Sequence, residues 1–592
     1  MKITVICKTA EWQVERLKEA APKFGVAIDV RDISKAGAPP ENLGDVVLWR
    51  SSSLGGGIDR FNMMNSILEK RLLINRCLAR LPQAAEKAFQ QEYVQKKTKT
   101  IQCIPTFTFW SLPEIEAAIQ EGVLNYPFIQ KPNKGSKGAG VELIRGRDDL
   151  LRSAKDIEKQ VYQNFIKNSG DYRILILGGR VLGVIKRSAQ EGDFLNNLSK
   201  GGSASVITDQ KILAKLRPIG TTVASIFELA LCGVDVIYDE ERDEYFFLEV
   251  NTVPQWQGFQ EATGIDVAGE IIHYCKRMVA RGTAPTKDLV SEEYLTQIPF
   301  LDNKKFHFLS RLYLWSGDPA IKEKLDELQE AYIGKTEDAH REKLKKIFTD
   351  KPDHGRRMVA REARQAYFKE YPQLEPSLNL IFKHLFAREL YGIDLHTYIR
   401  ELVSDEELLD LKHLIENDAD ALRVLSTHAI NYLYILEEYL GTEASKANPE
   451  KYLKIGMTYP EKSFELQIYF FTHCIIGASK FYSTNIEKND RPVYIQMLKF
   501  IESIIHNNFE SISLDNKFEF LVCAKICEYE SVIEKDILAE ADNSLAPDGN
   551  FLIDTHNTKA SPDERNDFVG AEHRNILYIM SQSPFHRKRK NR

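Results

Sequence analysis

The sequence has few cysteines and no long apolar run. Its eight cysteines are scattered through 592 residues without a CxxC pair, which fits a reducing compartment. The apolar stretch at the N-terminus is too short for a signal peptide. The most apolar later stretch, residues 464–476, is interrupted by Gln467 and His473 and cannot span a bilayer. We therefore expect a cytoplasmic protein with no membrane partner.

A strong charge of one sign is also absent. The net charge is −6, and the dense basic run is confined to residues 586–592. A basic tail this short is usually a solvated terminus, so nucleic acid is not an expected partner. Apolar residues make up 43% of the chain and charged residues 28%, as in soluble globular proteins. At this length two or more domains are expected.

The hydrophobic periodicity changes along the chain. In residues 1–85, β-type runs alternate with a helical pattern, which is typical of an open parallel sheet. The predicted elements are strands at 2–7, 26–30 and 45–49 and a helix at 12–24. Residues 86–282 mix strands, hairpins and glycine-rich turns. From about residue 290 the pattern is helical, as in 322–333 and 405–415, so a domain boundary is expected at about 280–290.

A glycine-rich loop follows the predicted strand that ends in Lys131. Glycines let backbone N–H groups approach phosphate oxygens, and a lysine adds a point charge. The loop carries Gly135, Gly138 and Gly140 but lacks the GxxxxGK[ST] pattern of a Walker loop. By itself it could equally be a hairpin with a flexible basic tip.

A second block predicts a hairpin that gathers oxygen ligands. Residues 233–238 and 245–251 are β-type runs around a charged turn. If the hairpin closes symmetrically about Arg242, Asp235 lies opposite Glu249, and Asn251 points to the same face. Two opposed carboxylates would repel unless a cation lay between them, and a few hard ligands suit Mg²⁺. The alternative is an acidic stripe that faces solvent.

A third block lies between the other two. Residues 171–177 and 180–187 are β-type runs joined by Gly178 and Gly179, which predicts a hairpin that ends at Lys186 and Arg187. Basic groups beside a metal-bound triphosphate are what phosphoryl transfer requires. Taken alone, however, Arg187 would more often be a surface residue at the end of a strand.

These blocks, in this order, closely resemble the ATP-grasp superfamily, and within it the RimK-type ligases that add glutamate to a protein C-terminus. The similar stretch runs from about residue 87 to 274 and is densest in DYRILILGGRVLGVIKRSAQEGDF, NNLSKGGSAS, GVDVIYD and LEVNTVP. The resemblance implies an α+β or α/β ATP-grasp fold, with a pre-ATP-grasp subdomain at 1–85 and an ATP-grasp domain at 86–285. The helical periodicity predicts an all-α domain at 286–592. The resemblance also implies an ATP- and Mg²⁺- (or Mn²⁺-) dependent ligase that forms an amide bond through an acyl phosphate.

The resemblance assigns roles to matching positions. Arg187 would steady the acyl phosphate, and Asp235, Glu249 and Asn251 would bind the metal. Residues 163–166, here named the hinge segment, would hold the adenine through backbone groups, and Asp171 would lie near the ribose. The nucleotide contacts implied are Lys87, Lys131, Gly135, Ser136, Gly138, Gly140, Gln163, Asn164, Phe165, Asp171, Asn196 and Asn197.

Two positions depart from the RimK-type pattern. Asn164 stands where these enzymes usually carry an acid in the hinge segment, and Leu195 stands where they usually carry an arginine. Because hinge contacts are largely made by the backbone, Asn164 is compatible with nucleotide binding. Leu195 bears on substrate identity, so the preference for glutamate is not carried over. An amino acid, a peptide or a protein remains the expected substrate class.

The helical half carries no motif that identifies a family. Its single histidines, such as His428, His473 and His556, are expected in the core, because no HExxH or clustered Cys/His spacing is present. Its role would be to recruit the amine or peptide substrate, or to mediate assembly, and the resemblance also allows a homo-oligomer. The competing interpretation of the whole chain is a non-catalytic nucleotide-binding module whose helical half acts as a scaffold for partners.

Overall fold

The computed structural model describes ten stretches of the chain: residues 1–7, 11–32, 42–51, 58–135, 139–188, 202–349, 362–459, 464–546, 549–551 and 568–586. They divide into two compact units. Unit 1 comprises residues 1–300 and 545–571, and unit 2 comprises residues 301–544 and 572–592. Within the described ranges, no helix combines the length and the apolar character that crossing a membrane requires. The predicted division into residues 1–85, 86–285 and 286–592 stays a prediction.

Within the described residues, the strands all belong to unit 1. They are β1 (Lys2–Cys7), β2 (Ala27–Asp32), β3 (Val46–Arg50), β4 (Leu72–Ile74), β5 (Gln102–Cys103), β6 (Thr106–Phe107), β7 (Phe128–Pro132), β8 (Glu142–Ile144), β9 (Gln160–Asn164), β10 (Asp171–Leu177), β11 (Arg180–Ser188), β12 (Ser203–Val206), β13 (Leu231–Asp239) and β14 (Glu244–Asn251).

The helices of unit 1 lie between and after the strands. They are α1 (Trp12–Ala20), α2 (Ile58–Leu68), α3 (Lys87–Lys97), α4 (Leu112–Gln120), α5 (Arg147–Ser153), α6 (Gln210–Ile226), α7 (Gln257–Thr263), α8 (Val267–Ala280) and α9 (Thr286–Thr296).

Unit 2 is built from helices, as the periodicity after residue 290 predicts. They are α10 (Lys305–Ser316), α11 (Pro319–Asp326), α12 (Gln329–Tyr332), α13 (Glu337–Thr349), α14 (Glu362–Glu370), α15 (Leu374–Tyr391), α16 (His396–Arg400), α17 (Asp405–Asn417), α18 (Ala419–Leu425), α19 (Thr427–Leu440), α20 (Pro449–Gly456), α21 (Phe464–Ala478), α22 (Arg491–Asn507), α23 (Leu514–Ile526), α24 (Glu534–Ser544) and α25 (Glu572–Gln582).

The first sheet has the order β2-β1-β3-β4 and is parallel throughout, which confirms the open parallel sheet predicted for the N-terminal residues. Its central strands β1 and β3 are mostly apolar and almost wholly buried, as expected for strands covered on both faces. The helical pattern predicted for residues 12–24 is an α-helix to Ala20 and a 3₁₀ turn to Phe24. Gly25, at φ +65°, ends it.

The second sheet has the order β12-β11-β10-β13-β14-β5 and positions most of the candidate site. On β10, Tyr172, Ile174 and Ile176 point to a core that includes residues of α6. Asp171 and Arg173 alternate with them and therefore point to the opposite face. A third sheet, β6-β9-β7-β8, carries Lys131 and the first two residues of the hinge segment, Gln163 and Asn164.

The β13–β14 hairpin places Asp235 directly opposite Glu249, as predicted. The turn, however, is not centred on Arg242, because Asp239 pairs with Glu244. With that turn alone, Asp235 would face Leu248. A β-bulge that leaves Leu248 unpaired shifts the register by one residue, so the carboxylates face each other because of a feature the sequence pattern did not reveal.

Strand β14 pairs with β5 over a short stretch only. Side chains of helix α3 supply further hydrogen bonds to the backbone of β14. Gln90 accepts a hydrogen bond from the Val250 N–H (3.0 Å) and donates one to the Val250 carbonyl (2.9 Å). Gln91 donates to the carbonyls of Phe247 (3.1 Å) and Leu248 (2.8 Å). The two glutamine side chains therefore take the place of a neighbouring strand where Glu249 and Asn251 must be held.

Replacing Gln90 with leucine should loosen β14 locally. The substitution leaves the Val250 N–H and C=O buried without partners, at a cost of about 2–4 kcal/mol. We expect faster hydrogen exchange in peptides that cover residues 244–251, measured by mass spectrometry. Gln95→Leu, at an exposed position on the same helix, is the matched control; equal exchange in the two variants would contradict this role of Gln90.

Candidate active site

Two lysines from different elements meet beside Glu249. Lys87 begins α3; its Nζ donates to the Gly135 carbonyl (3.1 Å) and lies 3.8 Å from Oε2 of Glu249. Helix α3 is attached to the chain just after β7, because the N–H of Lys87 and the N–H of Ala88 both donate to Asn133. This attachment brings Lys87 close to Lys131, so the two predicted nucleotide lysines share one place in the fold.

Lys131 is 5% exposed. Burial lowers the pKa of its ammonium group to about 8; Glu249 and Asp235 act to raise it, and the charge of Lys87 acts to lower it. The three neighbours therefore lie close enough for their charges to reach Lys131. The ammonium group has lost hydration without gaining a full counter-charge, which is an environment suited to receiving an anion.

Asp171 and Arg187 form a buried bidentate pair across β10 and β11, where they are register partners. The Nε of Arg187 donates to Oδ1 of Asp171 (2.6 Å) and its Nη2 donates to Oδ2 (2.9 Å). The same Nη2 lies 3.1 Å from Oδ2 of Asp235. Arg187 is thus buried between two carboxylates rather than at an exposed strand end.

Arg173 is a member of the site that the sequence analysis did not single out. It lies opposite Asp235 across β10 and β13, and its Nε and Nη2 donate to Oδ1 (2.8 Å) and Oδ2 (2.6 Å) of that carboxylate. Its signal in the sequence is its place two residues after Asp171, on the same face of the strand. The sequence pattern does not show that β10 pairs with β13.

The two buried acids of this network differ in proton affinity. Burial raises the pKa of Asp171 to about 6; Arg187 opposes this rise and the charge of Asp235 adds to it. Burial also acts to raise the pKa of Asp235, but Arg173 and Arg187 outweigh burial and hold it below the ordinary value. Asp235, which is 1% exposed, therefore stays ionised at neutral pH.

Asp235, Glu249 and Asn251 present their oxygens on one face. The Asn251 amide donates to Oδ2 of Asp235 (3.1 Å). The Glu249 side chain is 25% exposed, and an ammonium group, that of Lys87, lies near it. Carboxylate and amide oxygens are the ligands Mg²⁺ prefers, and a partly open carboxylate leaves room for phosphate oxygens and water. The donor set therefore fits a magnesium ion.

The positive charges beside the carboxylates of Asp235 and Glu249 come from side chains of the protein itself. Arg173 and Arg187 contact Asp235, and Lys87 approaches Glu249. The repulsion used to infer a metal from the sequence is therefore already reduced by guanidinium and ammonium groups. The metal assignment of these residues stays a prediction, which now rests on the donor set.

The hinge segment is held by its side chains. Gln163 is buried and shares a face of its sheet with Lys131; its amide donates to Oγ1 of Thr106 (2.6 Å). Asn164 points to the other face, where it accepts from the Asn125 N–H (2.8 Å) and donates to the Val123 carbonyl (3.2 Å). The Asn164 side chain thus secures a turn.

A cleft of about 140 Å³ lies beside the hinge segment. Its lining includes Phe165 and Ile166 from the hinge, together with Ile104 and Phe246. Ile104, Phe246 and Ile237 form a small apolar cluster against which Ile166 and the bulged Leu248 pack. The arrangement offers an apolar surface next to the charged residues.

Part of the predicted loop lies within the described residues. Gly140, at φ +72°, approaches Pro132 so closely that a β-carbon there would lie 2.9 Å from a proline ring carbon, which accounts for glycine at this position. Gly135 provides the carbonyl that accepts from Lys87. The other predicted positions, Ser136, Gly138, Asn196 and Asn197, lie outside the described residues, as does Leu195.

Comparison with known proteins gives matches to this part of the chain. Residues 84–275 match the RimK-like ATP-grasp domain. The probable alpha-L-glutamate ligase of Halorhodospira halophila is 32% identical over 190 residues, 31% of this chain and 61% of that protein. The probable alpha-L-glutamate ligase of Maridesulfovibrio salexigens is 34% identical over 167 residues, 27% of this chain and 54% of that protein. The chain thus spans little more than half the length of these relatives.

Among solved structures, the ATP-grasp ligase PsnB complexed with a minimal precursor is 15% identical and has a TM-score of 0.37. That match covers 47% of this chain and 98% of PsnB.

Lys131→Met should stabilise the protein at neutral pH. A pKa that falls from 10.5 to about 8 on folding penalises the folded state fully below pH 8, and the penalty disappears as pH rises towards 10.5. At pH 7 it amounts to about 3 kcal/mol. Calorimetry of the full-length chain should therefore show a gain in Tm at pH 7 that shrinks by pH 10.

Lys155→Met, at an exposed position of the same region, serves as the control and should give a difference in Tm that does not change with pH. A pH-independent difference for Lys131→Met as well would show that the Lys131 ammonium group is not desolvated.

Proposed function

Residues 84–275 form a RimK-like ATP-grasp domain, and on this basis we propose that the chain is an ATP- and Mg²⁺-dependent ligase that joins a carboxylate to an amine. The observation that carries the proposal is the meeting of Lys131 and Lys87 with the acids Glu249 and Asp235 at one place in unit 1. Two cations next to a set of hard oxygen ligands suit a metal-bound triphosphate.

The proposed reaction has two steps. A carboxylate oxygen of the substrate attacks the γ-phosphorus of ATP, the bond to the ADP oxygen breaks, and an acyl phosphate forms. The amine nitrogen of the second substrate then attacks the acyl carbon, inorganic phosphate leaves, and the nitrogen loses a proton. Holding the two substrates and the nucleotide in one cleft makes both attacks effectively intramolecular.

The lysines would bind the phosphate groups. Lys131, which burial has deprived of water, gains most from a phosphate oxygen, because an anion restores the counter-charge that the folded protein lacks there. Lys87 lies between Glu249 and the loop at Gly135, so its ammonium group would contact the phosphates on the side of that loop. Gly135, Ser136, Gly138 and Gly140 would add backbone contacts from that loop.

Asp235, Glu249 and Asn251 would hold Mg²⁺, or Mn²⁺ in its place. Such an ion stabilises the negative charge that develops on the transferring phosphoryl group. Glu249 would be the carboxylate that approaches from the open side, since its side chain is partly exposed whereas Asp235 is buried. Arg173 and Arg187 orient Asp235 from behind.

Arg187, although buried, would act in the acyl-transfer step. Its guanidinium is held in the plane of the Asp171 carboxylate by two hydrogen bonds, so its orientation is set before substrate arrives. We propose that its positive charge stabilises the acyl phosphate and the tetrahedral adduct that follows. Asp171, the predicted ribose-side acid, would act chiefly by orienting Arg187.

The adenine ring would lie beside the hinge segment, in the cleft with Ile104, Phe165 and Ile166. Leu248, unpaired in the bulge, packs on the same apolar cluster and would contact the base. Gln163 and Asn164 use their side chains within the protein, so nucleotide contacts there would come from the backbone. Asn196 and Asn197 would also contact the phosphates.

The substrates would be an amino acid, a peptide or a protein. The curated relatives are named probable alpha-L-glutamate ligases, so glutamate is one amine to test, although Leu195 replaces the arginine usual in RimK-type enzymes. We propose that unit 2 recruits the amine or peptide, that the chain can assemble as a homo-oligomer, and that the protein acts in the cytoplasm, where cysteine thiols are stable.

Changing Glu249 to Gln should abolish turnover while leaving the fold intact. The substitution keeps the size of the side chain and removes the charge that binds the metal, so ADP formation should fall about 100-fold or more. Glu244→Gln, at an exposed position on the same strand, should retain activity. Near-normal ADP release by Glu249→Gln would refute the metal assignment.

The identity of the product separates the ligase from a non-catalytic nucleotide-binding module. The purified protein is offered ATP, Mg²⁺, an amino-acid pool that includes glutamate, and lysate peptides. We expect ADP and phosphate together with a product whose mass equals the sum of the carboxylate and the amine minus one water. Mass spectrometry detects this product. Binding of ATP without ADP release under any of these conditions would favour the module.

A further inference from the structure

Two buried polar side chains lie at the carboxyl edge of the first sheet. Arg50 is the last residue of β3, and Asn75 follows the last residue of β4, the parallel neighbour of β3. Each residue is 2% exposed. Both side chains donate to backbone carbonyls of residues 252–254, the segment that follows β14. The carboxyl edge of an open parallel sheet is also where ligands usually bind.

Asn75 joins the ends of β13 and β14. Its amide nitrogen donates to the carbonyls of Leu231 (2.7 Å) and Thr252 (2.9 Å), and its Oδ1 accepts from the Leu231 N–H (2.8 Å). Leu231 begins β13, and the pairing of β13 with β14 stops at Gly233 and Asn251. One buried side chain therefore makes three hydrogen bonds that continue the connection between the strands beyond their last backbone pair.

Arg50 holds Pro254. Its Nη1 and Nη2 donate to the Pro254 carbonyl at 3.5 and 3.4 Å. The Nη2 also donates to Oε2 of Glu11 (2.9 Å), and the guanidinium carbon lies 4.6 Å from the centre of the Trp256 ring. A guanidinium that pairs with a carboxylate and stacks on an aromatic ring has a fixed orientation. Glu11 and Trp256 therefore orient the group that holds Pro254.

Pro254 lies against the strands that carry the proposed metal ligands. A β-carbon added at Gly233 would lie 3.4 Å from Cβ of Pro254 and 3.6 Å from Nε of Arg173. Gly233 is the register partner of Asn251, and the same Nε of Arg173 donates to Asp235. Residues 252–254 therefore pack beside the strand pair from which Asn251 extends.

Asn251 lies between two residues whose backbone groups are held by side-chain amides. Gln90 bonds to the N–H and the carbonyl of Val250, which precedes Asn251. Asn75 bonds to the carbonyl of Thr252, which follows it. Because the backbone is held on both sides, the direction in which the Asn251 side chain leaves the strand is also set.

We propose that Asn75 and Arg50 are positioning residues of the Mg²⁺ site: through Thr252 and Pro254 they hold Asn251 in place as a metal ligand. The inference rests on the proposed function of that site. Both residues act through the backbone and not on the metal or the substrates. Removing a group that orients a metal ligand typically weakens metal binding by about 10–100-fold. A role limited to joining the first sheet to β13 would lower stability and leave metal affinity unchanged.

The test measures Mn²⁺ binding by the full-length chain, with a non-hydrolysable ATP analogue present, from the paramagnetic resonance signal of free Mn²⁺. Arg50→Met and Asn75→Leu should each weaken Mn²⁺ binding about 10-fold or more. Binding of the analogue without metal should change little, because Lys131 and the first residues of the hinge segment belong to a different sheet.

ADP formation gives a second readout. In both variants the Mg²⁺ concentration that gives half the maximal rate should rise about 10-fold, whereas the KM for ATP at saturating Mg²⁺ should stay close to that of the parent. Arg50→Lys should recover part of the loss. Its ammonium group can still pair with Glu11, but it lacks the planar fork that also reaches Pro254.

Two substitutions provide matched controls. Arg31 lies on β2 of the same sheet, pairs with Asp29 (3.0 Å), and has 44% of its side chain exposed. Asn65 lies on α2, and its amide donates to the Phe61 carbonyl one turn earlier (3.1 Å). Arg31→Met and Asn65→Leu should leave Mn²⁺ binding unchanged.

The proposal would be overturned if Arg50→Met and Asn75→Leu bound Mn²⁺ as tightly as the parent, or if the controls lost affinity equally. Should Asn75→Leu fail to fold, Arg50→Met decides, since its partner Glu11 is partly exposed and can be solvated. A parent protein that binds no Mn²⁺ would contradict the metal site and with it the proposed function. A parent that binds Mn²⁺, together with unaffected variants, would contradict the positioning role alone.

Discussion

The buried carboxylate of Asp235 imposes the main constraint on unit 1. A charge removed from water must be paired, and here Arg173, Arg187 and Asn251 all supply hydrogen bonds or ion-pair contacts to it. These partners come from β10, β11 and β14, so four neighbouring strands must keep their register for the charge to be satisfied. A slip of one residue in any of them would turn a partner to the opposite face.

The same network determines the protonation states of the site. Asp235 stays ionised because two guanidinium groups outweigh its burial, whereas Asp171, which shares Arg187 with it, has its pKa raised to about 6. Lys131 lies on another sheet, and burial lowers the pKa of its ammonium group to about 8. Two aspartates of the same chemistry therefore differ in proton affinity because their surroundings differ.

Local patterns in the sequence were enough for the elements that carry the proposed ligase site. The alternation in residues 171–187 and 233–251 predicted two hairpins, and the spacing of glycines and lysines predicted a loop after Lys131. Arg173 was missed because its role depends on a pairing between strands sixty residues apart. The opposition of Asp235 and Glu249 was predicted with a symmetric turn, whereas the real turn is offset and the Leu248 bulge compensates.

By itself, the sequence predicted the parallel strands near the N-terminus, two hairpins, the change to a helical half and the residue types of the proposed nucleotide site, because these follow from periodicity and from short motifs. Only the tertiary structure decided which distant residues meet. It attached α3 to the end of β7, put Gln90 and Gln91 in the place of a neighbouring strand, and brought Arg173 opposite Asp235. The physical reason is that contacts between elements depend on packing and register, which no spacing along the chain encodes.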